Sequence, residues 1–412
     1  MTSRERLLRA IRRQPADRVP LYCPVLGFRP PPHLRWTAGG QPVECWFSGR
    51  VEHTHALPRP WSADDEFRRA AAWLKLGLDA ILDVSVPWAR SPRVTVEDST
   101  EVGVVGDREC LLMAREYQTP DGPLRHVVRV EEATPAPGAP VQPQTAALVN
   151  DLNISRTVQH VVGEAEDVPK ARWLYQGPNR DQRAALAERM RLAAAAAAEQ
   201  GVAVQAWSAF GADALAWFAG EEDAVALCLE DEAAFTALLD AIHAADKART
   251  IAALDDGADI VCQRGRYSAT DCWSPEVFRQ HFKPRIADLA GLAHQRGRLF
   301  ALATGGGVAP VAADLKDAGV DLLYPALPVP EYADPGVLDA LAAEGLAVAG
   351  GLAVSVLDGG TAAEVEAAVA HVLGALGQRP GFILSPVDAL GPETPWANVE
   401  AMVQAWRRHG AR

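Results

Sequence analysis

Residues 298–352 read RLFALATGGGVAPVAADLKDAGVDLLYPALPVPEYADPGVLDALAAEGLAVAGGL. Three short apolar runs, RLFALA (298–303), DLLYPA (321–326) and LAVAGGL (346–352), alternate here with two helix-like segments, 308–318 and 335–344. Apolar runs of this length are buried strands, and helices between them supply the crossovers that parallel pairing needs. The pattern extends both ways. Upstream lie VPLYCPVLG (19–27), LDAILDVSV (78–86), VAVQAWSAF (202–210) and ADIVCQ (258–263), and downstream lies FILSP (382–386). Eight parallel strands separated by helices predict an α/β fold, a single (β/α)8 barrel. A doubly wound open sheet fits less well, because no GxGxxG fingerprint follows the first strand.

The helices carry their own punctuation. Thr2 and Glu5 have capping-box spacing ahead of a helix that stops by Pro15. Further helices run from Asp64 to Leu76 and over 183–200, where six consecutive alanines (193–198) favour helix strongly. Asp231 caps a long helix, and Ser274-Pro275 is an N-cap followed by the favoured first-turn proline, with a kink expected at Pro284. Segment 362–376 and a last segment from Thr394 or Pro395 complete the set. Between 102 and 130 two extended runs flank Pro120-Asp121-Gly122, a hairpin signal. The proline-rich ATPAPGAPVQPQ (133–144) follows it. Together these form an insertion at about 101–146 in one domain spanning 1–412, with the N-terminal helix and loop as an extension.

The chain has 412 residues, 49% of them hydrophobic, which excludes a disordered chain. Forty basic against 53 acidic residues leave a net charge of −13, which argues against nucleic acid as a partner. No apolar run is long enough to span a membrane. The Arg-rich start lacks both a secretory apolar core and a Ser-rich transit composition, so a cytoplasmic chain is expected. None of the six cysteines forms a CxxC pair, and most read as buried thiols.

Barrel enzymes build their sites from the loops after each strand, which singles out a short set of residues. Asp83 closes the second strand as a base or orienting carboxylate, or as a partner of loop backbone. Trp207 and Phe210 end the third and would floor a pocket for a flat or cationic ligand, or simply pack. Gln263, Arg264, Arg266 and Tyr267 follow the fourth; the Arg pair suits a carboxylate or phosphate, with surface ion pairs as the alternative. Thr304, Gly305 and Gly306 open a triple-glycine turn whose N–H groups could meet an anion, or form a tight turn. Tyr324 ends the sixth strand and could move a proton or stack on a ring. His53 and His55 sit in an N-terminal loop able to cover the mouth, where solvent-exposed histidines are the expectation and metal ligands the alternative. That loop also holds Trp36, Trp46 and Trp61.

Several segments at matching spacing resemble the uroporphyrinogen decarboxylase superfamily, which includes the decarboxylase of haem biosynthesis and zinc methyltransferases serving corrinoid proteins. They are SRERLLRAIRRQPADRVP (3–20), DDGADIV (255–261), SPEVFRQHFKPRI (274–286), AHQRG (293–297), DAGVDLLYP (317–325), AGGL (349–352) and SPVDALGPETPWANVEAMVQAW (385–406). The resemblance implies a (β/α)8 barrel with its site at the C-terminal ends of the strands. It also exposes a departure. Where the methyltransferases carry a His-x-Cys pair and a later Cys for zinc, this chain has Ala303, Thr304, Gly305 and Asp388. Zinc is therefore not expected, since such a centre needs thiolate and imidazole ligands. The decarboxylase's substrate-gripping Asp falls near Val86 and its His on Asp388, with Arg29 and Arg35 only loosely echoing its basic signature.

Asp388 thus stands where the superfamily places a functional group, as a base, cation partner or Arg holder. The preferred reading is zinc-independent one-carbon (methyl) transfer or demethylation on a small anionic or aromatic substrate. In it Arg264 or Arg266 grips the anion, Asp388 faces it across the opening, and Asp83 and Tyr324 assist. The alternatives are decarboxylation of a tetrapyrrole or smaller acid, and a non-catalytic ligand-binding barrel. A corrinoid carried by a partner protein is the candidate methyl carrier, and a homodimer the candidate assembly.

Overall fold

The strands of the central sheet are buried on both faces, the condition that near-continuous apolar runs require. A computed structural model describes residues 1–130, 138–143 and 145–411. In it seven parallel strands follow one another around a curled sheet in chain order: β1 (Ile81–Ser85), β2 (Ala203–Ala209), β3 (Ile260–Gly265), β4 (Leu299–Thr304), β5 (Leu322–Pro325), β6 (Ala347–Leu352) and β7 (Phe382–Pro386). Alternation along each strand sorts the side chains into two layers. Ile81, Ala203, Ile260, Ala301, Leu322, Ala347 and Ile383 meet inside the curl. Leu82, Val204, Val261, Phe300, Leu323, Val348 and Leu384 face the surrounding helices.

The expectation of eight regular strands is corrected to seven. Residues 20–22 lie between the two edge strands but make only isolated parallel bridges, Leu21 to Leu384 and Tyr22 to Asp79. The Leu384 amide donates to the Pro20 carbonyl at 2.9 Å, Tyr22 donates to the Leu384 carbonyl at 3.0 Å, and Asp79 donates to the Leu21 carbonyl at 2.9 Å. Pro20 and Pro24 have no N–H, so a ladder cannot run through this segment. Leu26–Phe28 then turns away to pair antiparallel with Trp46–Phe47.

Below the strands, helix Ser3–Ile11 plugs the curl with Leu7, Leu8, Ala10 and Ile11. Its capping box, Thr2 with Glu5, forms as the spacing predicts. Arg6 donates to Asp79 at 2.6 Å, and Asp79 also accepts from the Leu21 amide at 3.2 Å. One buried carboxylate therefore fastens the plug helix to both the 20–22 segment and the start of β1.

The insertion is larger than expected. It is a four-stranded antiparallel sheet of Thr95–Val105, Arg108–Thr119, Gly122–Arg129 and Thr157–Gln159. The Pro120-Asp121 turn sits where the sequence signals it, but Gly106 (φ 61°) adds an earlier turn within the first run. Of the proline-rich stretch, residues 131–137 and 144 lie outside the described residues. Helix Ala212–Glu230 is an addition to the expected series. Gly220, at φ 73°, breaks it, and the periodicity on either side is too short to announce a helix. Asp231 and Ser274 cap their helices as expected, and a wide π turn over Phe278–Phe282 precedes Pro284.

Candidate functional site

At the C-terminal ends of the strands the curled sheet opens into a cavity of about 260 Å³. Four residues expected at the site line it: Trp207, Arg264, Arg266 and Asp388. Arg50, Val51, Thr54 and His55 from the N-terminal loop, and Asp151 and Leu152 from the end of the insertion, complete much of the wall.

The charges are paired in order across the opening. Arg264 points inward from β3 between two carboxylates, with Nη1 donating to Asp151 Oδ2 at 2.6 Å and Nε 3.1 Å from Asp213 Oδ2. Arg264 is raised further into its charged form, the two aspartates outweighing burial. Burial pulls Asp151 up, but Arg264 and His55 outweigh it and leave that carboxyl below its ordinary value. Asp213 has no such surplus and is pushed up to about 7, by burial against the pull of Arg264. His55 Nε2 lies 3.4 Å from Asp151, and burial takes its pKa down to about 4 despite that carboxylate, so it is neutral at pH 7.

Opposite them, Arg50 Nη2 donates to Asp388 Oδ1 at 3.2 Å, and its guanidinium lies 5.9 Å from the Trp207 ring centre. Burial raises the Asp388 pKa against the pull of Arg50 and Arg264. Arg266 makes no ion pair among the described residues; its guanidinium lies over the Tyr267 ring, 5.3 Å from the centre.

Asp83 and Tyr324 are corrected as cavity groups. Both are buried beneath the floor. Asp83 accepts from Trp207 Nε1 at 2.9 Å, Gln205 Nε2 at 3.1 Å and the Tyr22 hydroxyl at 3.2 Å. Tyr324 donates to Gln205 Oε1 at 3.2 Å, and burial raises its pKa well above the ordinary value. The pair therefore fixes the indole that forms the floor.

The remaining expected contacts point elsewhere. Strand alternation turns Gln263 outward between the inward Cys262 and Arg264, and its amide lies against Gly211. Phe210 meets Trp217 edge to face, with ring centres 4.8 Å apart, and lies under the Arg249 guanidinium at 4.2 Å. Tyr267 lines a separate hollow with Trp273 and Cys272. The Thr304 hydroxyl is hydrogen-bonded to that of Tyr332. Gly305 and Gly306 are buried and are not among the residues lining the cavity. The anion at the triple glycine belongs to the chain itself, since Gly307 and Val308 donate to the Glu331 carboxylate at 2.7 and 3.3 Å.

Sequence reasoning missed Arg50 and Asp151, which lie in loops without periodicity. It also took His53 and His55 for solvent-exposed residues; the His55 side chain is 14% exposed, and His53 Nε2 is buried without a partner among the described residues. The HTH triplet was the available signal.

The donors present do not fit a thiolate–imidazole zinc centre. Ala303 and Gly305 offer no ligand atom, and Asp388, the oxygen donor there, is held by Arg50. Among the described residues no three His, Cys, Asp or Glu side chains converge on one point.

Solved structures similar to this chain include a methyltransferase from Methanosarcina mazei, at 17% identity over 99% of both chains with a TM-score of 0.55. A 3-keto-L-gulonate-6-phosphate decarboxylase from Vibrio cholerae matches at 14% identity over 53% of this chain and 93% of that one, with a TM-score of 0.26. No curated protein matches the sequence. The methyltransferase shares the fold along the whole chain. The model of the uroporphyrinogen decarboxylase (URO-D) family matches residues 178–409, from the helix before β2 to the end of the last helix. With more than half of its length matched in this way, the chain belongs to the uroporphyrinogen decarboxylase family.

Proposed function

We propose that the protein is a zinc-independent enzyme of its family that transfers or removes a one-carbon group on a small, singly charged anionic substrate. The observation that carries this reading is the size and charge of the cavity. Its volume of about 260 Å³ lies below the roughly 300–1,000 Å³ of sites for drug-sized ligands. Arg50, Arg264 and Arg266 line it; Arg50 is paired with Asp388 and Arg264 with Asp151 and Asp213, and Arg266 is the lining guanidinium left without an ion pair among the described residues. A tetrapyrrole with many carboxylates would exceed both the volume and the charge.

In this reading Arg266 holds the anionic end and Trp207 supports the body of the substrate. Asp388, an ion-paired carboxylate with its side chain 27% exposed at the mouth and its proton affinity raised by burial, takes a proton from solvent and passes it to the heteroatom that the methyl group leaves. A corrin ring is too large for the cavity, so a corrinoid would be presented at the mouth by a partner protein. When bound there it supplies the nucleophile that accepts the methyl group.

The test uses small monocarboxylates bearing a ¹³C-labelled O-, N- or S-methyl group, with reduced cobalamin as acceptor. Methylcobalamin should form with the wild type and fall about a hundredfold or more with Asp388→Asn. Labelled CO2 from a carboxyl-labelled acid, with its methyl group retained, would move the reaction to decarboxylation. Binding without either product would leave a ligand-binding barrel.

A further inference from the structure

The inserted sheet ends on an open edge. Strand Thr95–Val105, 11 residues long, pairs with Arg108–Thr119 in one unbroken register, and among the described residues no strand lies along its other side. Leu111 turns its carbonyl to the Val130 amide at 2.8 Å, away from its partner Val102. Antiparallel pairs alternate in this way, so Val96, Asp98, Thr100, Val102 and Val104 direct their N–H and C=O groups out of the sheet. Edges of this kind are ordinarily blunted by lysine, proline or a bulge, and this strand has none of the three. Its carboxylates do not guard it either, since Asp98 is held by Arg115 and Glu101 by Arg125, each at 2.6 Å. Val102 and Val104, 72% and 68% exposed, share one face of the strand.

We propose that this edge is a dimer interface, on which a second copy of the chain pairs its own Thr95–Val105 antiparallel across a two-fold axis at Thr100. The charges select that register. With the axis at Thr100, Val96 lies opposite Val104, Asp98 opposite Val102, Ser99 opposite Glu101 and Glu97 opposite Gly103, so no like charges meet. An axis at Ser99 sets Glu97 opposite Glu101, and one at Asp98 or Glu101 sets that carboxylate opposite itself. Like charges directly opposite are destabilising. Thr100 is also the midpoint of the strand, so this register alone pairs its whole length. The far edge of the sheet, Thr157–Gln159, has only 3 residues, so association closes at two copies. None of the strand's residues lines the cavity.

Sedimentation equilibrium of the full chain tests this. The wild type should be dimeric at micromolar concentration. Thr100→Pro removes an outward N–H and spares the ladder to Arg108–Thr119, so it should be monomeric with an unchanged circular dichroism spectrum. Val102→Asp, which sets a carboxylate opposite the second copy's Asp98, should raise the dissociation constant about tenfold or more, whereas Val102→Lys should stay dimeric. Val102 is a surface residue, so these two variants give the answer if Thr100→Pro does not fold. A wild type that stays monomeric, or a dimer that survives both Thr100→Pro and Val102→Asp, overturns the proposal. Equal loss with aspartate and lysine overturns the register at Thr100, and the proposal with it.

Discussion

Arg50 and Asp388 join the N-terminal loop to the loop after β7 across the mouth of the cavity. The guanidinium donates to both the carboxylate, at 3.2 Å, and the main-chain carbonyl, at 3.4 Å, of one aspartate. That aspartate has φ 83°, in the left-handed region, which among the described non-glycine residues only Arg13 shares. A side chain held in that region at the rim of a cavity stores backbone strain where a ligand would sit.

The strain has a measurable sign. Asp388→Ala and Asp388→Gly both remove the carboxylate, and only glycine escapes the Cβ clash at this φ. In urea unfolding the glycine variant should therefore be more stable than the alanine variant by about 1 kcal/mol. An alanine variant of equal or greater stability would show that Asp388 is not strained.

Metal content follows from the donor set. With Ala303 and Gly305 lacking ligand atoms and Asp388 held by Arg50, protein purified without chelator should contain no stoichiometric zinc by elemental analysis. One tightly held zinc per chain, lost in Asp388→Ala, would overturn this.

Gly305 serves close packing. A Cβ built there meets the Arg266 carbonyl at 2.6 Å, a main-chain atom that cannot swing aside. Gly305→Ala should push the 266–271 loop outward, cost on the order of 2 kcal/mol and weaken anion binding through Arg266. Unchanged stability and affinity would mean that the loop yields freely.

His126, in the inserted sheet, is buried with neither ring nitrogen partnered among the described residues. Burial, helped by His160 and Arg115, lowers its pKa to about 3. His53, also at about 3, and His55, at about 4, are held neutral in the same way. The unfolded chain takes up these protons below about pH 6.5 and the folded chain does not. Stability should accordingly be full above that pH and decline as pH falls towards 4 and 3. His126→Phe should add about 1 kcal/mol at pH 7 by removing unmatched polar atoms. It should also flatten the acid slope, as urea midpoints between pH 7 and 4 would show. A steeper slope in the variant would contradict the neutral, unpartnered histidine.

Much of the architecture is written locally in the sequence. Apolar runs separated by periodic helices place seven of the eight expected strands, and Thr2, Asp231 and Ser274 cap helices as side chains with their own neighbours' N–H groups can. The exception, residues 19–27, is also local in origin, since Pro20 and Pro24 allow bridges but no ladder. Position along a strand likewise brings Trp207, Arg264 and Arg266 to the mouth.

What surrounds them was decided by the tertiary structure. Arg50 meets Asp388 across 338 positions, and Asp151 meets Arg264 across 113. Contacts so distant leave no period or spacing to read. The same holds for pairing and burial. Whether Arg264 is free to grip an anion depends on two aspartates folded onto it from other elements, and that choice leaves the open cation to Arg266. The sequence by itself determined which elements form and in what order, because hydrogen bonding and apolar periodicity act between near neighbours. Only the fold decided which charges are matched and which atoms wait for a ligand, because that depends on how loops far apart in the chain close over the ends of the strands.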